Sequence, residues 1–270
     1  MIHARSLLFV PGNRAERFEK AVASGADMVV IDLEDAVGPD DKDKARQDAI
    51  DWLRQSSYTH VGLRINGPDT DEYVRDLEAL NGACPNMPFV MLPKPDSRAD
   101  IEALDKALPG ACGAIAPVME SGAAMLNAAD MFAHPRLTLA LFGGVDFSVD
   151  IGSTLEWEAL LYARSHLAVC AAAHNVHVFD VPYLDVRDGE GCLAETRKVK
   201  ALGIPARAAI HPAQIEPIHE VFTPTEAEID QAKRVMSAYE AAQGGVALLD
   251  GKLIEAPIMK KAKRILALGL

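Results

Sequence analysis

MVVIDLED, residues 28–35, decides the architecture. Its first four residues are apolar with no polar alternation, the pattern of a strand covered on both faces, and such strands belong in parallel sheets. The run then closes on Asp32, Glu34 and Asp35, three carboxylates within four residues. The same construction, an apolar body with a polar end, recurs along the chain. Further runs stand at residues 6–10 (SLLFV), 60–65 (HVGLRI), 89–92 (FVML), 113–119 (GAIAPVM), 137–142 (LTLALF), 176–181 (VHVFDV) and 207–210 (RAAI).

Helical patterns separate these eight runs. Asn13 with Glu16 predicts a capping box with Gly25 as the stop, and Ser97 with Asp100 repeats the signal. Residues 43–55, 155–174 and 194–202 read as helices. Eight β/α units predict an α/β fold, a (β/α)8 TIM barrel, which typically needs about 250 residues. A doubly wound open sheet would want GxGxxG after an early strand, and that motif is absent. Beyond the eighth run, Thr223 as N-cap, Pro224 in the first turn and Glu226 predict a helix running to about residue 242. Gly244-Gly245 breaks it, and residues 257–268 form a closing basic amphipathic helix. The expected division is a barrel catalytic domain over 1–222 and a short helical extension over 223–270, a lid or subunit contact.

The chain has 270 residues, with 27 Lys+Arg against 39 Asp+Glu and a net charge of −12. That surplus argues against nucleic acid, whose binding runs on clustered cations releasing counterions. It leaves room for an anionic small molecule met by a few converging cations. No stretch approaches the roughly 18 apolar residues of a membrane span, and residues 7–10 are too short for a signal core. Cys84, Cys112, Cys170 and Cys192 show no CxxC pairing, so reduced thiols in a cytoplasm are expected. His166, Cys170 and His174 recur every fourth residue, as zinc ligands can. A long alanine-rich helix packed on its neighbours explains them without a metal, and that reading is adopted.

Barrel chemistry sits at the C-terminal ends of strands. After the runs come Pro11-Gly12-Asn13-Arg14, the acidic trio, Arg64 with Asn66, Pro93-Lys94, Glu120-Ser121, Gly143-Gly144-Val145-Asp146, Asp180, and His211-Pro212-Ala213-Gln214. Any one of these suits a helix cap or a solvated loop; nearly every strand ending so points to an active site. Glu120 and Asp146 offer two oxygens to a hard divalent ion, and Mg2+ commonly takes one or two carboxylates with water and substrate oxygens. Arg64 suits a bidentate grip on a carboxylate or enolate. HExxH, GxSxG and the P-loop are all absent, which leaves zinc peptidase, serine hydrolase and NTPase readings without support.

RSLLFVPGNR (5–14), DMVVIDLEDAV (27–37), LRIN (63–66), LPK (92–94), PVMESGAAMLNA (117–128), LFGGVDFSVDIG (141–152), AIHPAQI (209–215) and GKLIEAP (251–257) occur in that order. This series resembles the citrate lyase β-subunit-like (CitE-like) CoA-ester lyases of the HpcH/HpaI aldolase superfamily, over nearly the whole chain. The resemblance implies a Mg2+-dependent barrel that cleaves, or reversibly forms, malyl-, citramalyl- or citryl-type CoA thioesters. It implies Glu120 and Asp146 as metal ligands and Arg64 as the arginine holding the small acid. It also implies Phe9, Arg14 and Lys20 as contacts to CoA, Glu34 and Asp35 as the acidic pair near the metal waters, and Gly143-Gly144 as a close backbone approach. The family's acid/base aspartate, supplied by a neighbouring subunit, falls here on Glu255, one methylene longer, and this is the main departure. Relatives are trimers or hexamers, so a homo-oligomer is expected. Alternatives are a catalytically weak CoA-ester-binding or citrate-lyase-complex subunit, and a free-keto-acid class II aldolase.

Overall fold

The computed structural model describes residues 3–83, 87–108, 112–242 and 248–269. The chain divides into two compact units, Met1–His219 and Glu220–Leu270. The first is a closed barrel of eight parallel strands in sequential order: β1 (Ser6–Pro11), β2 (Met28–Asp32), β3 (Val61–Arg64), β4 (Met87–Leu92), β5 (Cys112–Met119), β6 (Leu139–Phe142), β7 (His177–Asp180) and β8 (Ala206–Ala209). Between them run α1 (Phe18–Val22), α2 (Lys42–Gln55), α3 (Asp71–Ala83), α4 (Arg98–Ala107), α5 (Gly122–Phe132), α6 (Gly144–Asp150), α7 (Trp157–His174) and α8 (Gly189–Ala201), with α9 (Ile215–Phe222) after β8.

Strand parity organises everything that follows. Leu7, Met28, Val30, Phe89, Met91, Ala116, Val118, Leu139, Leu141, Phe179, Ala206 and Ala208 pack into one buried cluster along the axis, with Phe9 beside it. Their alternates, such as Leu8, Val29, Ile31 and Leu63, are equally buried under the helices. Gly62 belongs to the axial set: a Cβ there would lie 2.5 Å from the Phe89 ring, so glycine leaves the space that Phe89 fills.

Several local expectations need correction. Asn13 caps nothing; its amide donates to Asp41 at 2.9 Å, and a single 3-10 turn at Ala15–Arg17 precedes the short α1. Gly25 does turn the chain with φ +83°. Ser97 and Asp100 form the expected reciprocal box. α8 starts at Gly189 rather than 194, because Asp188 accepts from Gly191 N–H and begins the helix early. His166 Nε2 donates to the Met125 carbonyl of α5 at 2.9 Å, joining the two helices, and His174 is exposed. Among the described residues no group of three or more His, Cys, Asp or Glu is placed to hold a metal. Cys112, Cys170 and Cys192 are buried thiols; Cys84 lies outside the described residues. No helix of the described residues is long and apolar enough to cross a membrane.

In the second unit, α10 (Glu226–Ala241) is capped by Thr225 and Glu228, both bonds of the box being present, two residues later than the Thr223–Glu226 reading. Gly244-Gly245 falls outside the described residues. β9 (Leu248–Leu249) and β10 (Lys252–Leu253) form a small hairpin whose turn residues Asp250 and Gly251 have φ +50° and +75°, as an Asp-Gly turn of this hand requires. α11 (Ala256–Leu268) packs its apolar face, centred on buried Ala262, against Ala232 and Val235 of α10.

Candidate active site

Continuing the axial parity to the C-terminal strand ends brings Asp32, Arg64, Glu120 and Gly143 to the barrel mouth, since Asp32 pairs with Arg64 across β2–β3 and Val118 with Leu141 across β5–β6. Gly143 is glycine because of Glu120: a Cβ would sit 2.5 Å from the Glu120 Cβ and 2.8 Å from its Oε2. Gly144, buried, opens α6, and Asp146 lies half-buried in that helix's first turn.

Arg64 is the hub. Its Nε and Nη2 donate to the two oxygens of Asp32 at 2.7 and 2.6 Å, and its Nη1 lies 2.8 Å from Glu34 Oε2. The guanidinium carbon stands 5.1 Å above the Phe9 ring. Burial lowers its proton affinity, but the carboxylates of Asp32, Glu34 and Asp35 outweigh that and hold it above the ordinary arginine value. The bidentate edge expected to grip substrate is therefore spent on Asp32, and the Nη1 end is paired with Glu34. Glu34 is buried, which raises its pKa against the opposing pull of Arg64 and Lys94. Glu120 is 4% exposed and its pKa is pushed up to about 8, first by burial and further by the nearby charges of Glu34 and Asp146.

Lys94 links two of these carboxylates: its main-chain N–H donates to Glu120 Oε1 and its Nζ to Glu34 Oε1, both at 2.7 Å. Behind the acidic segment, Lys42 Nζ donates to the carbonyls of Leu33 and Glu34 and to Asn66 Oδ1 at 2.6–2.7 Å. Asn66 is held in turn by buried Asp76, which also takes Arg46 Nε. A cleft of about 270 Å³ opens here, lined by Glu34, Asp35, Lys42, Asn66 and Lys94 among others. Asp32 and Lys94, both among the polar strand ends marked in the sequence, are thus part of the mouth, and Lys42, which the sequence did not mark, stands behind it. LPK carried the signal for Lys94; nothing local marked Lys42, which sits on α2.

The remaining candidates are more scattered. Asp35 is exposed, 3.8 Å from Lys94 Nζ. Arg14 and Lys20 are exposed on the β1–α1 segment, Arg14 paired with Glu16. Glu255 belongs to the second unit, exposed at the N-cap of α11 with no capping bond from its side chain. Asp180 does not reach the mouth. Phe179 takes the axial side, so Asp180 points outward and bonds buried Arg164 at 2.9 Å. His211 and Gln214 cap the turn after β8.

The mouth fits Mg2+. Glu120 is buried and crowded by the like charges of Glu34 and Asp146, which a cation would relieve. The available donors are carboxylate oxygens, and with fewer than three of them grouped, water and substrate oxygens would complete the shell as Mg2+ prefers.

A parallel barrel whose polar groups converge at the C-terminal mouth is the construction of a TIM-barrel enzyme. The chain belongs to the HpcH/HpaI aldolase/citrate lyase family, whose model matches residues 5–212. It is 36% identical over 271 aligned positions to the (3S)-malyl-CoA thioesterase of Cereibacter sphaeroides strain KD131, covering 97% of this chain and 93% of that protein. The L-malyl-CoA/beta-methylmalyl-CoA lyase of C. sphaeroides strain ATCC 17029 is 32% identical at the same coverage. Among solved structures, CitE from Mycobacterium tuberculosis in complex with magnesium, acetoacetate and coenzyme A superposes with a TM-score of 0.82 at 28% identity, covering 98% of this chain and 97% of that one.

Proposed function

We propose that this chain is a Mg2+-dependent carbon–carbon lyase that splits a malyl-, citramalyl- or citryl-type CoA thioester into an acyl-CoA and a small keto acid, or joins them in reverse. The observation that carries the reading is the mouth itself, where Arg64, Glu34, Lys94 and Glu120 are joined in one chain of contacts. Cleavage requires the substrate hydroxyl to lose a proton while the C–C bond breaks, and the thioester enolate carbon to gain one. Glu120 and Asp146 would hold Mg2+, which when bound supplies Lewis-acid stabilisation to the oxygen becoming the keto group. Arg64 binds the acid's carboxylate through its Nη1 end, where the acid would share or replace the contact with Glu34, and orients it beside Phe9. The exposed cations Arg14 and Lys20 meet the phosphates of CoA. Residues 1–222 form the catalytic barrel and 223–270 the lid or oligomerisation segment, in a reducing cytoplasm that suits the buried thiols.

Glu255 is assigned the proton transfer at the enolate carbon, from a neighbouring copy. Glu255→Gln is expected to lower turnover about a hundredfold or more, within the range of general acid–base contributions, while the KM for the thioester stays near wild type. Unchanged turnover would remove Glu255 from that role.

The assembly that such sharing requires has a matching surface. Large exposed apolar side chains, a patch that suits an interface with another chain, stand on the outward face of α7. Its outward Tyr162 and Val169 are 72% and 70% exposed, and Leu126 on the adjoining α5 is 84% exposed. Other copies of this chain are proposed to cover that face. Light scattering should give three or six times 29.0 kDa, and Leu126→Glu with Tyr162→Glu should reduce it to the single-chain mass; a monomeric wild type would refute the assembly.

The 36% identity to a thioesterase favours one second reading, thioester hydrolysis. One assay separates the two: malyl-, citramalyl- and citryl-CoA incubated with Mg2+, scored for acyl-CoA plus keto acid and for free CoA thiol, with EDTA as control. Keto acid without free thiol supports the lyase; thiol without keto acid supports the hydrolase. Binding without either product would leave a CoA-ester-binding subunit, and cleavage of free keto acids alone would leave the aldolase.

A further inference from the structure

Three non-glycine residues among those described have positive φ: Lys94 (53°), Asn175 (58°) and Asp250 (50°). Asn175 is the C-cap of α7 and Asp250 sits in the β9–β10 turn, places where a left-handed residue is ordinary. Lys94 has neither excuse. It follows β4 at the barrel mouth, and side chains with a Cβ are held in this conformation only where the surroundings enforce it.

The enforcement is visible. The Lys94 N–H is anchored on Glu120 Oε1, so φ is the torsion that decides where the rest of the residue goes. At 53° the side chain runs to Glu34, donating at 2.7 Å, with Asp35 at 3.8 Å. One residue thereby ties a carboxylate beyond β5 to another beyond β2, on opposite sides of Arg64. With Oε1 of Glu120 taken, Oε2 lies over Gly143, on the side of the loop leading to Asp146.

We propose that Lys94 is a positioning residue whose left-handed backbone fixes Glu120 and Glu34 together, so that Glu120 presents Oε2 to the metal. This rests on the reading above that Glu120 and Asp146 hold Mg2+. The proposal has an opposite sign to the simplest electrostatic expectation. An ammonium beside an acidic cluster repels a cation, so charge alone says that removing it tightens Mg2+ binding. Positioning says that removal loosens it.

Titration calorimetry of the full-length protein with Mg2+ alone decides between them. Lys94→Met, which keeps the stem and loses the ammonium, is expected to raise the Mg2+ Kd about tenfold, the scale on which partners of metal ligands act. Lys94→Arg should recover most of the affinity. Lys94→Gly should bind Mg2+ as poorly as Lys94→Met, yet melt above Lys94→Ala, because glycine adopts positive φ without strain. The glycine variant also carries the Kd test if the methionine variant fails to fold. Unchanged or tighter Mg2+ binding in Lys94→Met and Lys94→Gly would overturn the proposal, as would a glycine variant melting no higher than the alanine one. Wild-type protein that binds no Mg2+ would instead remove the parent reading, whereas wild-type binding left intact by the variants removes only the role of Lys94.

Discussion

Glu120→Gln is expected to abolish Mg2+ binding and to lower lyase turnover about a thousandfold, the loss of several kcal/mol of charge stabilisation. The change is isosteric, and the amide oxygen can still accept from the Lys94 N–H, so the fold should survive. The same residue gives the metal affinity a pH dependence. Its carboxyl titrates at about 8 in the fold against 4.5 ordinarily, with burial as the main cause and Glu34 and Asp146 adding to it. A carboxyl shifted upward favours the fold below about pH 4.5, and that contribution is withdrawn as pH climbs through 8. The metal-free protein at neutral pH therefore carries a protonated Glu120, and Mg2+ must displace the proton. Apparent Mg2+ affinity should rise about tenfold per pH unit up to about 8 and then level off. Calorimetry in two buffers of different ionisation enthalpy should find about one proton released per ion near pH 7. A wild-type Kd independent of pH, or an unaffected Kd in Glu120→Gln, would remove Glu120 from the metal site.

Much of this site was legible because strand chemistry is local. An apolar run closed by a polar group announces both a covered strand and its functional end, and MVVIDLED, LRIN and PVMES placed Asp32, Glu34, Arg64 and Glu120 correctly at one mouth. Asp180 shows what that rule omits. Strand ends alternate in facing, and only the axial parity, set here by Phe179, reaches the mouth; the neighbouring position instead meets Arg164 under the helices. TPTEAE contains two overlapping Thr-x-x-Glu patterns, and the one whose two bonds both close, Thr225 with Glu228, wins over Thr223 with Glu226. Lys42 was illegible for another reason. Its meaning lies in three acceptors on other segments, Leu33, Glu34 and Asn66, which only the folded chain brings around it. The division of Arg64's hydrogen bonds was equally hidden, since sequence assigns a guanidinium to a substrate but cannot show that a neighbouring carboxylate already occupies one edge.

That occupied edge gives Arg64 two roles with separable consequences. Asp32 is 1% exposed and Glu34 6% exposed, and removing the partner of a buried charge costs about 3–5 kcal/mol. Arg64→Met should therefore lower Tm by about 6–20 °C, at roughly 2–4 °C per kcal/mol for a chain of this size. The loss is not offset by the other bonds to Asp32, from the Glu34 and Ala36 amides at 2.9 and 3.2 Å, because these favour the carboxylate without neutralising it. Adding Asp32→Asn removes the orphaned charge, so the double variant should regain more than half of the lost Tm. Turnover should not return with it. On the proposed function the Nη1 end of Arg64, which contacts Glu34, takes the acid's carboxylate, and neither methionine nor asparagine replaces that cation, so the double variant should be stable, bind Mg2+ and cleave thioester at least about a hundredfold more slowly. Thermal melts and single-turnover assays on the same three proteins, well below the lowest Tm, make the comparison. Recovery of turnover alongside stability would mean that Arg64 serves only to neutralise Asp32, and the substrate's carboxylate would then need another cation at the mouth.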